Sequence, residues 1–426
     1  MLSGIYEGMP ALRKYEISHP WLTFSLDLRQ ASPRVWIALG EAQSKCRHIA
    51  GVPLQPQVAE EMHRIYLARG LLATTAIEGN TLTEQEVRDL IDKKLKLPPS
   101  RQYLAQEINN VLSACDGMFE NVRRGRVDPL STPLIKEFNA LVLRDLKLDP
   151  DVTPGAIRKH SVGAGAYRGA PAEDCEYLLD RLCEWLNAEF KATGVDEIVV
   201  GLIKSIVAHV YLAWIHPFGD GNGRTARLLE VKFLLEAGVP SAAAHLLSNH
   251  YNLTRSEYYR QLDRTSKSNG DLLPFIEYAV TGIVDQLREQ IQTVQAQQLA
   301  VSWINYVHER FGALKTPADR RRRDVVLAMS KKEGFIKTSE VRQLDANVAA
   351  QYAKKTPKTV TRDLNRLQKL GLVGISAEGY RANTHLMHAF LPVSIAKPLV
   401  ENAAGEAARE APGQLELGLF PNRNRN

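Results

Sequence analysis

The sequence predicts a mainly α-helical protein, and three observations support this prediction. Apolar residues recur at helical spacing in several long segments between residues 31 and 311. Cap-forming residues stand at the start of several of these segments, as in Ser32-Pro33 and in Thr83 with Glu86. Glycine-containing stretches of β type are confined to residues 150–171 and 372–381. We therefore expect helices throughout the chain, with two short hairpins.

The length and the charge distribution predict more than one domain. A chain of 426 residues allows two or three domains, and 44% hydrophobic with 24% charged residues is ordinary for a soluble globular protein. Residues 301–390 contain 17 basic and 8 acidic side chains, whereas residues 1–300 contain 33 and 36. The basic character is therefore concentrated in one C-terminal segment.

Cysteine usage and the N-terminal residues favour a cytoplasmic protein without a membrane anchor. The four cysteines are Cys46, Cys115, Cys175 and Cys183. They show no C-x-x-C pairing and no metal-ligand spacing with histidine, so we expect buried thiols in a reducing compartment. Residues 1–18 mix acidic and basic side chains, which is not the pattern of a secretory signal. The apolar run Ile198–Ile215 is interrupted by Lys204 and His209, and we predict a buried core helix there.

The helix pattern divides the chain into successive regions. Residues 1–30 show little periodicity, and we expect irregular structure there. Helices are predicted for Ser32–Arg47, Gln57–Glu78, a segment opened by Thr83, Gln106–Asn121, Pro133–Leu146, Glu173–Lys191, Ile198–Ile215, Arg224–Ala237 and Asp271–Phe311. The predicted domains are an N-terminal helical region at 1–110, a core at 111–300, a further domain at 313–390 and a tail at 391–426.

A glycine-rich loop between two of these helices holds the residues best suited to chemistry. It runs from His216 to Arg227 and contains three glycines, a carboxylate, an asparagine and two arginines. Glycines let backbone N–H groups approach a phosphate, and the start of the next helix adds its positive dipole end. Arg224 and Arg227 are three residues apart and fall on one helix face. Asp220 is a hard oxygen ligand suited to Mg²⁺, and His216 is suited to act as a general base.

The loop sequence resembles the active-site motif of the Fic family, H-P-F-x-[DE]-G-N-G-R-x-x-R, at every defined position. This resemblance implies a Fic-type helical core that transfers AMP from ATP to a hydroxyl side chain of a target protein. It also implies site roles for the loop residues. His216 would take the hydroxyl proton, Asp220 would hold Mg²⁺, and the phosphates would bind to Gly221, Asn222, Gly223, Arg224 and Arg227. The alternative is a glycine-rich turn with solvated charges.

A second string, from Thr74 to Asn80, resembles the inhibitory motif of the same family, [ST]-x-x-x-E-[GN]. Thr74, Glu78 and Gly79 occupy its defined positions. The resemblance implies that Glu78 pairs with Arg227 and blocks productive placement of the ATP γ-phosphate. The alternative is a solvated glutamate at the end of a helix, where the negative dipole end is mildly unfavourable for it.

Two further segments are assigned to the nucleotide site through the resemblance. Fic proteins carry a β-hairpin flap over the active site, and Val162, Gly163, Ala164 and Gly165 are the flap positions expected nearest the nucleotide. A target backbone would pair with this flap as an added strand. Tyr258 and Tyr259 are expected to line the adenine pocket. The alternatives are a surface hairpin and a pair of core tyrosines.

Residues 313–390 predict three helices followed by two short strands around Gly379, which resembles a winged helix-turn-helix domain. The third helix begins at Thr356-Pro357 and ends at Gly371. Its predicted outward side chains suit phosphates and base edges of DNA, and they are Lys358, Thr361, Arg362, Asn365 and Lys369. The alternative is a docking or dimerisation module.

The tail, residues 391–426, has a composition typical of disorder apart from one apolar island at Gln414–Phe420. The island resembles the short peptides with which bacterial replication and repair proteins bind the sliding clamp. The alternative is a last strand packed on this protein.

The function predicted from the sequence is autoinhibited transfer of AMP from ATP, with Mg²⁺, to a Ser, Thr or Tyr hydroxyl of a target protein. The alternatives are a DNA-binding regulator whose Fic domain senses nucleotide, and an enzyme that removes AMP or transfers another nucleotide. The partners considered are the target protein, the chain itself through self-modification, DNA, a sliding clamp and a second copy in a homodimer.

Overall fold

The structure, a computed structural model, describes residues 12–165, 167–314 and 316–388. The chain divides into two compact units between Gln298 and Leu299. The tail with the Gln414–Phe420 island lies outside the described residues.

The described part of the first unit is mainly helical and contains one two-stranded hairpin. Its helices are α1 Lys14–Ser18, α2 Pro33–Gly51, α3 Pro56–Ala76, α4 Glu84–Ile91, α5 Gln102–Arg123, α6 Thr132–Leu143, α7 Cys175–Glu189, α8 Glu197–Ile215, α9 Asn222–Glu236, α10 Leu246–Leu253 and α11 Arg255–Lys267. The last helix, α12 Leu273–Arg310, begins in this unit and ends in the second one. The hairpin strands are β1 Gly163–Ala164 and β2 Tyr167–Arg168. Gly163 pairs with Arg168 and Ala164 with Tyr167 in antiparallel register. The mainly helical fold predicted from the sequence is thus observed.

Helix α8 is the centre of this unit. It is long and apolar enough to cross a membrane, but 83% of its apolar window is buried by the surrounding protein. Burial on all sides is what an all-apolar helix requires inside a globular fold. The chain leaves α8 directly into the His216–Arg227 loop, so a largely buried helix positions the loop.

Local signals placed several helix starts correctly. Pro33 opens α2, and Thr83 and Glu86 form both bonds of a capping box ahead of α4. The predicted second helix is two residues too long, because α3 ends at Ala76 and Glu78 lies in the following turn. The irregular structure predicted for residues 1–30 is wrong at α1, where the backbone N–H of Tyr15 donates to Asp174 at 2.8 Å. That bond spans 159 residues and leaves no local signal.

Beyond the end of α12, the described part of the second unit contains three α-helices followed by a hairpin. These are α13 Pro317–Met329, α14 Ala346–Tyr352, α15 Pro357–Lys369, β3 Val373–Ser376 and β4 Gly379–Ala382. Ile336 forms an additional antiparallel bridge to Tyr380 of β4. A buried carboxylate joins the helices, because Asp363 of α15 accepts from Arg321 and Arg322 at 2.8 Å and from the Tyr352 hydroxyl at 2.9 Å. The element order predicted for this segment is therefore the observed one.

Candidate active site

The loop between α8 and α9 is held in an unusual backbone conformation at its first residue. His216 has φ +49° and ψ 58°, a left-handed conformation that costs free energy for a residue with a side chain. Its N–H donates to Leu212 O at 2.9 Å, and its carbonyl accepts from Arg158 Nε at 2.7 Å. The surrounding contacts therefore fix where the imidazole is placed.

Arg158 is a buried organiser of the site that sequence reasoning missed. Its side chain is buried, and the guanidinium also donates to the carbonyls of His160, at 2.7 Å, and Ala170. Its backbone N–H donates to Pro217 O at 3.0 Å. The arginine thus joins the start of the loop to the backbone on either side of the β1–β2 hairpin. No motif singles it out, because each of its acceptors is a backbone carbonyl.

Two asparagines fix the rest of the loop. The Asn222 side chain accepts from Phe218 N–H at 3.0 Å and donates to Phe218 O at 2.8 Å, so it braces the turn. Asn139 of α6 is fully buried; it donates to Asp220 O at 2.9 Å and accepts from Gly155 N–H at 3.0 Å. Sequence reasoning assigned Asn222 to the phosphate cradle and missed Asn139, which lies 81 residues from its loop partner.

The start of α9 is built to receive an anion. Gly221 has φ +77° at the N-cap, and the helix begins at Asn222. The first N–H groups of a helix have no intrahelical partner, and they lie at the positive end of its dipole. A backbone arrangement of this kind binds phosphate oxygens.

Both motif arginines are buried beside this helix start and retain free donors. Arg224 contacts Asp220 Oδ1 at 3.2 Å and Glu107 Oε1 at 3.5 Å, and Arg227 is 1% exposed. Nε and Nη1 of both guanidinium groups have no hydrogen-bond partner among residues 12–165, 167–314 and 316–388. Buried donors without partners are costly, and oxygens of a bound phosphate would satisfy them.

Glu78 is bonded to Arg227, as the inhibitory-motif resemblance implied. Arg227 Nη2 donates to Glu78 Oε1 at 2.5 Å and to the Thr74 carbonyl at 2.9 Å. Burial alone would raise the pKa of Glu78, but the charge and hydrogen bond of Arg227 outweigh it and hold this pKa below its usual value. A Cβ on Gly223 would lie 2.1 Å from Glu78 Oε1, so only glycine there leaves room for the carboxylate. Thr74 contributes through its backbone, and its side chain is buried.

The turn that carries Glu78 requires glycine at the next position. Gly79 has φ +105°, and its N–H donates to Ala76 O at 2.9 Å. A residue with a side chain would be strained in this conformation. Gly79 therefore turns the chain at the end of α3 and leaves Glu78 at the mouth of the site.

The imidazole of His216 is suited to accept a proton. Burial lowers its pKa, so the ring is neutral near pH 7. Nδ1 faces the Ala213 carbonyl at 3.4 Å, a weak contact that favours the proton on Nδ1 and leaves Nε2 with a free lone pair. A neutral, partly buried histidine beside an anion site is the arrangement of a general base.

The hairpin lies against the same histidine. Gly169 N–H donates to Val162 O at 3.0 Å, and the Tyr167 hydroxyl donates to Trp214 O at 2.8 Å. A Cβ on Gly169 would lie 2.7 Å from His216 Cβ, so the chain after β2 passes close to the base. The positions 162–165 predicted to approach the nucleotide are thus the start of a hairpin tied to the end of α8.

The two tyrosines predicted for the adenine pocket have different environments. Tyr258 is buried, and its hydroxyl bonds His209 Nε2 at 2.9 Å, as expected for the core alternative. Tyr259 is 45% exposed, and its hydroxyl donates to Ile77 O at 3.4 Å. Tyr259 therefore lies beside the turn that carries Glu78.

Asp220 could bind a metal ion only together with ligand atoms from the substrate. Its side chain is half exposed and accepts from the Gly221 N–H and from Arg224. No group of three or more His, Cys, Asp or Glu side chains that could hold a metal occurs in the part of the chain that the structure describes. Mg²⁺ commonly binds one or two carboxylates together with substrate phosphates, and Asp220 fits that mode.

Known proteins are similar in sequence to part of this chain. Residues 129–234 match the Fic/DOC family. The chain is 32% identical over 205 residues to protein adenylyltransferase fic-1 of Caenorhabditis elegans, covering 48% of this chain and 37% of the relative. It is 30% identical over 216 residues to protein adenylyltransferase Fic of Nematostella vectensis, covering 48% and 44%. The chain therefore spans less than half the length of these curated relatives.

A solved structure shows the same fold over more of the chain. It is the crystal structure of a Fic family protein from Desulfovibrio desulfuricans G20, with a TM-score of 0.52 and 21% identity. The match covers 84% of this chain and 98% of that one. The match to the Fic/DOC family over residues 129–234, together with the similarity to proteins named protein adenylyltransferase, shows that this chain contains a Fic domain.

Proposed function

We propose that the protein is an adenylyltransferase that moves AMP from ATP to a Ser, Thr or Tyr hydroxyl of a target protein, and that Glu78 restrains it. The observation that supports this most directly is the pair of buried arginines with unpartnered donors at the start of α9, in the same loop as a neutral histidine. The relatives named protein adenylyltransferase support the same activity.

In the proposed reaction the target hydroxyl oxygen attacks the α-phosphorus of ATP. His216 takes the hydroxyl proton, the bond from the α-phosphorus to its bridging oxygen breaks, and pyrophosphate leaves. The N–H groups at the start of α9, with Arg224 and Arg227, bind the phosphates and neutralise the charge that develops. Mg²⁺ held by Asp220 and the phosphates would add charge neutralisation when bound. Positioning and charge stabilisation are the main sources of rate in such chemistry.

Glu78 would restrain the reaction by occupying Arg227. The guanidinium donates to the carboxylate at 2.5 Å, so Nη2 is not free to bind the γ-phosphate until this bond opens. The restraint is reversible in principle, because Glu78 stands in a turn and its side chain is 35% exposed.

The hairpin and Tyr259 would complete the substrate site. The β1 edge, with Val162 to Gly165, would pair with the backbone of the target segment. Tyr259 would contact the adenine, and Tyr258 would support it from the core.

The experiment that tests the proposal is mass spectrometry of the purified chain and of lysate proteins after incubation with ATP and Mg²⁺. We expect a mass increase of one AMP on a hydroxyl side chain, and loss of the modification in His216→Ala. His48→Ala is the matched control, because His48 is exposed on α2. Retained modification in His216→Ala would contradict the role of His216. A product carrying another nucleotide, or release of AMP from a modified protein, would favour the alternative reactions.

A second candidate function rests on the basic face of α15. The side chains predicted to point outward are all exposed. Together with Arg322 and Arg366 they line a groove of about 580 Å³. We propose that residues 313–390 are a winged-helix domain that binds duplex DNA through this face, with α15 in the major groove. A gel-shift assay on the full chain at low salt tests this, and absence of a shift would exclude it.

The remaining partner and location proposals rest on the sequence alone. A titration of a bacterial sliding clamp with a peptide of residues 411–422 tests the clamp motif, with Gln414→Ala as control. Self-modification would be detected as added AMP on the purified chain in the mass spectrometry experiment above. Analytical sedimentation of the chain tests for a homodimer. The cytoplasmic location stays a prediction; all four cysteines are buried thiols, as expected.

A further inference from the structure

The carboxyl end of α3 is covered from two sides. This helix has no basic residue in its last turn, although its final carbonyls carry the negative end of the helix dipole. Backbone N–H groups of the following turn donate to the carbonyls of Ala73, Thr75 and Ala76 at 2.9–3.3 Å. The carbonyls of Thr74 and Ile77 accept instead from side chains of other elements.

These side chains are two arginines that come from different helices. Arg227 of α9 donates to Thr74 O at 2.9 Å, and Arg255 of α11 donates to Ile77 O through Nη2 at 2.5 Å. The Tyr259 hydroxyl, one turn further along α11, donates to the same Ile77 oxygen at 3.4 Å. A cation at the carboxyl end of a helix is stabilising, so both arginines act as caps of α3 supplied from elsewhere in the chain.

The position of Arg255 is unfavourable within its own helix. It is the first residue of α11, where the helix dipole presents its positive end. Its guanidinium reaches 178 residues back along the sequence to the carbonyl that immediately precedes Glu78. The stabilising contact of this side chain is therefore at the inhibitory turn and not in its own helix.

We propose that Arg255 is a positioning residue that holds the turn of Glu78 in its inhibitory place. This inference rests on the proposed function and extends its regulation. When ATP draws Arg227 to the γ-phosphate, the cap on Thr74 is lost and Arg255 alone keeps a charged donor on this helix end. The hydrogen bond from Arg255 to the Ile77 carbonyl thereby sets how readily Glu78 leaves Arg227.

Hydrogen exchange of the full chain, followed by mass spectrometry, tests the Arg255–Ile77 contact without reference to activity. In Arg255→Ala the amides of residues 78–80 should exchange about tenfold faster than in the wild type, as expected for loss of a charged hydrogen bond. The matched control is Arg260→Ala on the same helix, whose side chain is 75% exposed and pairs with Glu257. Unchanged exchange at 78–80 in Arg255→Ala would overturn the proposal. If that variant folds poorly, Arg255→Lys, which keeps the charge and loses the fork of donors, takes its place.

Label transfer from ATP tests the consequence. Arg255→Ala should label about fivefold more than the wild type, whereas in a Glu78→Ala background the same substitution should add nothing. A further increase in that background would show that Arg255 does not act through Glu78, and would overturn the proposal. If Glu78→Ala itself transfers no AMP while exchange at residues 78–80 responds to Arg255→Ala, the role of Arg255 in holding the turn is supported and the proposed function fails.

Discussion

Replacing Glu78 by alanine should raise AMP transfer and destabilise the nucleotide-free protein. Arg227 is 1% exposed, and the substitution removes the carboxylate that it contacts at 2.5 Å. The freed guanidinium becomes available to the γ-phosphate, but without nucleotide it stays buried and less well bonded. One substitution should therefore move activity and stability in opposite directions.

The magnitude follows from the exposure of the two partners. Breaking a fully buried pair costs about 3–5 kcal/mol, and an exposed pair contributes about 0.2–1 kcal/mol. Here one partner is buried and the other is 35% exposed, so solvent screening reduces the value to roughly 2 kcal/mol. This corresponds to about thirtyfold in an equilibrium constant. Removal of the Glu78 carboxylate from Arg227 should therefore raise ATP affinity and the initial transfer rate by up to about thirtyfold.

The assay is the initial rate of label transfer across a range of ATP concentrations, together with thermal unfolding with and without ATP. Glu61→Ala is the matched control, because Glu61 is an exposed carboxylate on the same helix α3. We expect a higher rate, a lower Tm without nucleotide and a larger stabilisation by ATP in Glu78→Ala only. Equal rates for wild type and variant at matched concentration would refute the inhibitory role of Glu78.

Three further predictions concern the base, the loop support and the basic face. Burial lowers the pKa of His216, so the ring is neutral at and above pH 7. The rate of AMP transfer by Glu78→Ala should therefore be constant above pH 7 and fall as the pH drops below 6.5. A pH–rate profile without this decrease at acidic pH would contradict the role of His216 as a base. Asn139→Ala should cost about 1–3 kcal/mol in denaturant unfolding, because the partly buried backbone groups of Gly155 and Asp220 lose their partner, and an unchanged midpoint would contradict this. Arg362→Ala should weaken DNA binding and reduce the slope of log K against log salt by about 1, as gel shifts at several salt concentrations would show.

Much of the fold was predictable because helix signals are local. Proline at the first helical position, the Thr83–Glu86 capping box and apolar spacing act within one or two turns. These local signals place helix starts well and helix ends less well, as the end of α3 shows. The element order of the second unit follows from the same signals.

The candidate site was predictable where its residues are close in sequence. The three-residue spacing of Arg224 and Arg227 places both on one helix face, and the glycines of the loop give φ +77° at Gly221. Glu78 was predicted to be a site residue only through the resemblance to the inhibitory motif, because its own sequence context also suits a solvated surface residue. The bond that joins it to Arg227 spans 149 residues.

The sequence by itself determined most of the helices, the loop chemistry and the basic C-terminal segment. Only the tertiary structure decided how the site is supported, through Arg158, Asn139 and Arg255, which bond backbone groups 58 to 178 residues away. A backbone carbonyl or N–H is the same for every residue type, so a side chain that bonds one leaves no complementary residue in the sequence to find. Such partners become identifiable only when the packing of α3, α6, α8 and α11 brings these side chains and their backbone partners within bonding distance.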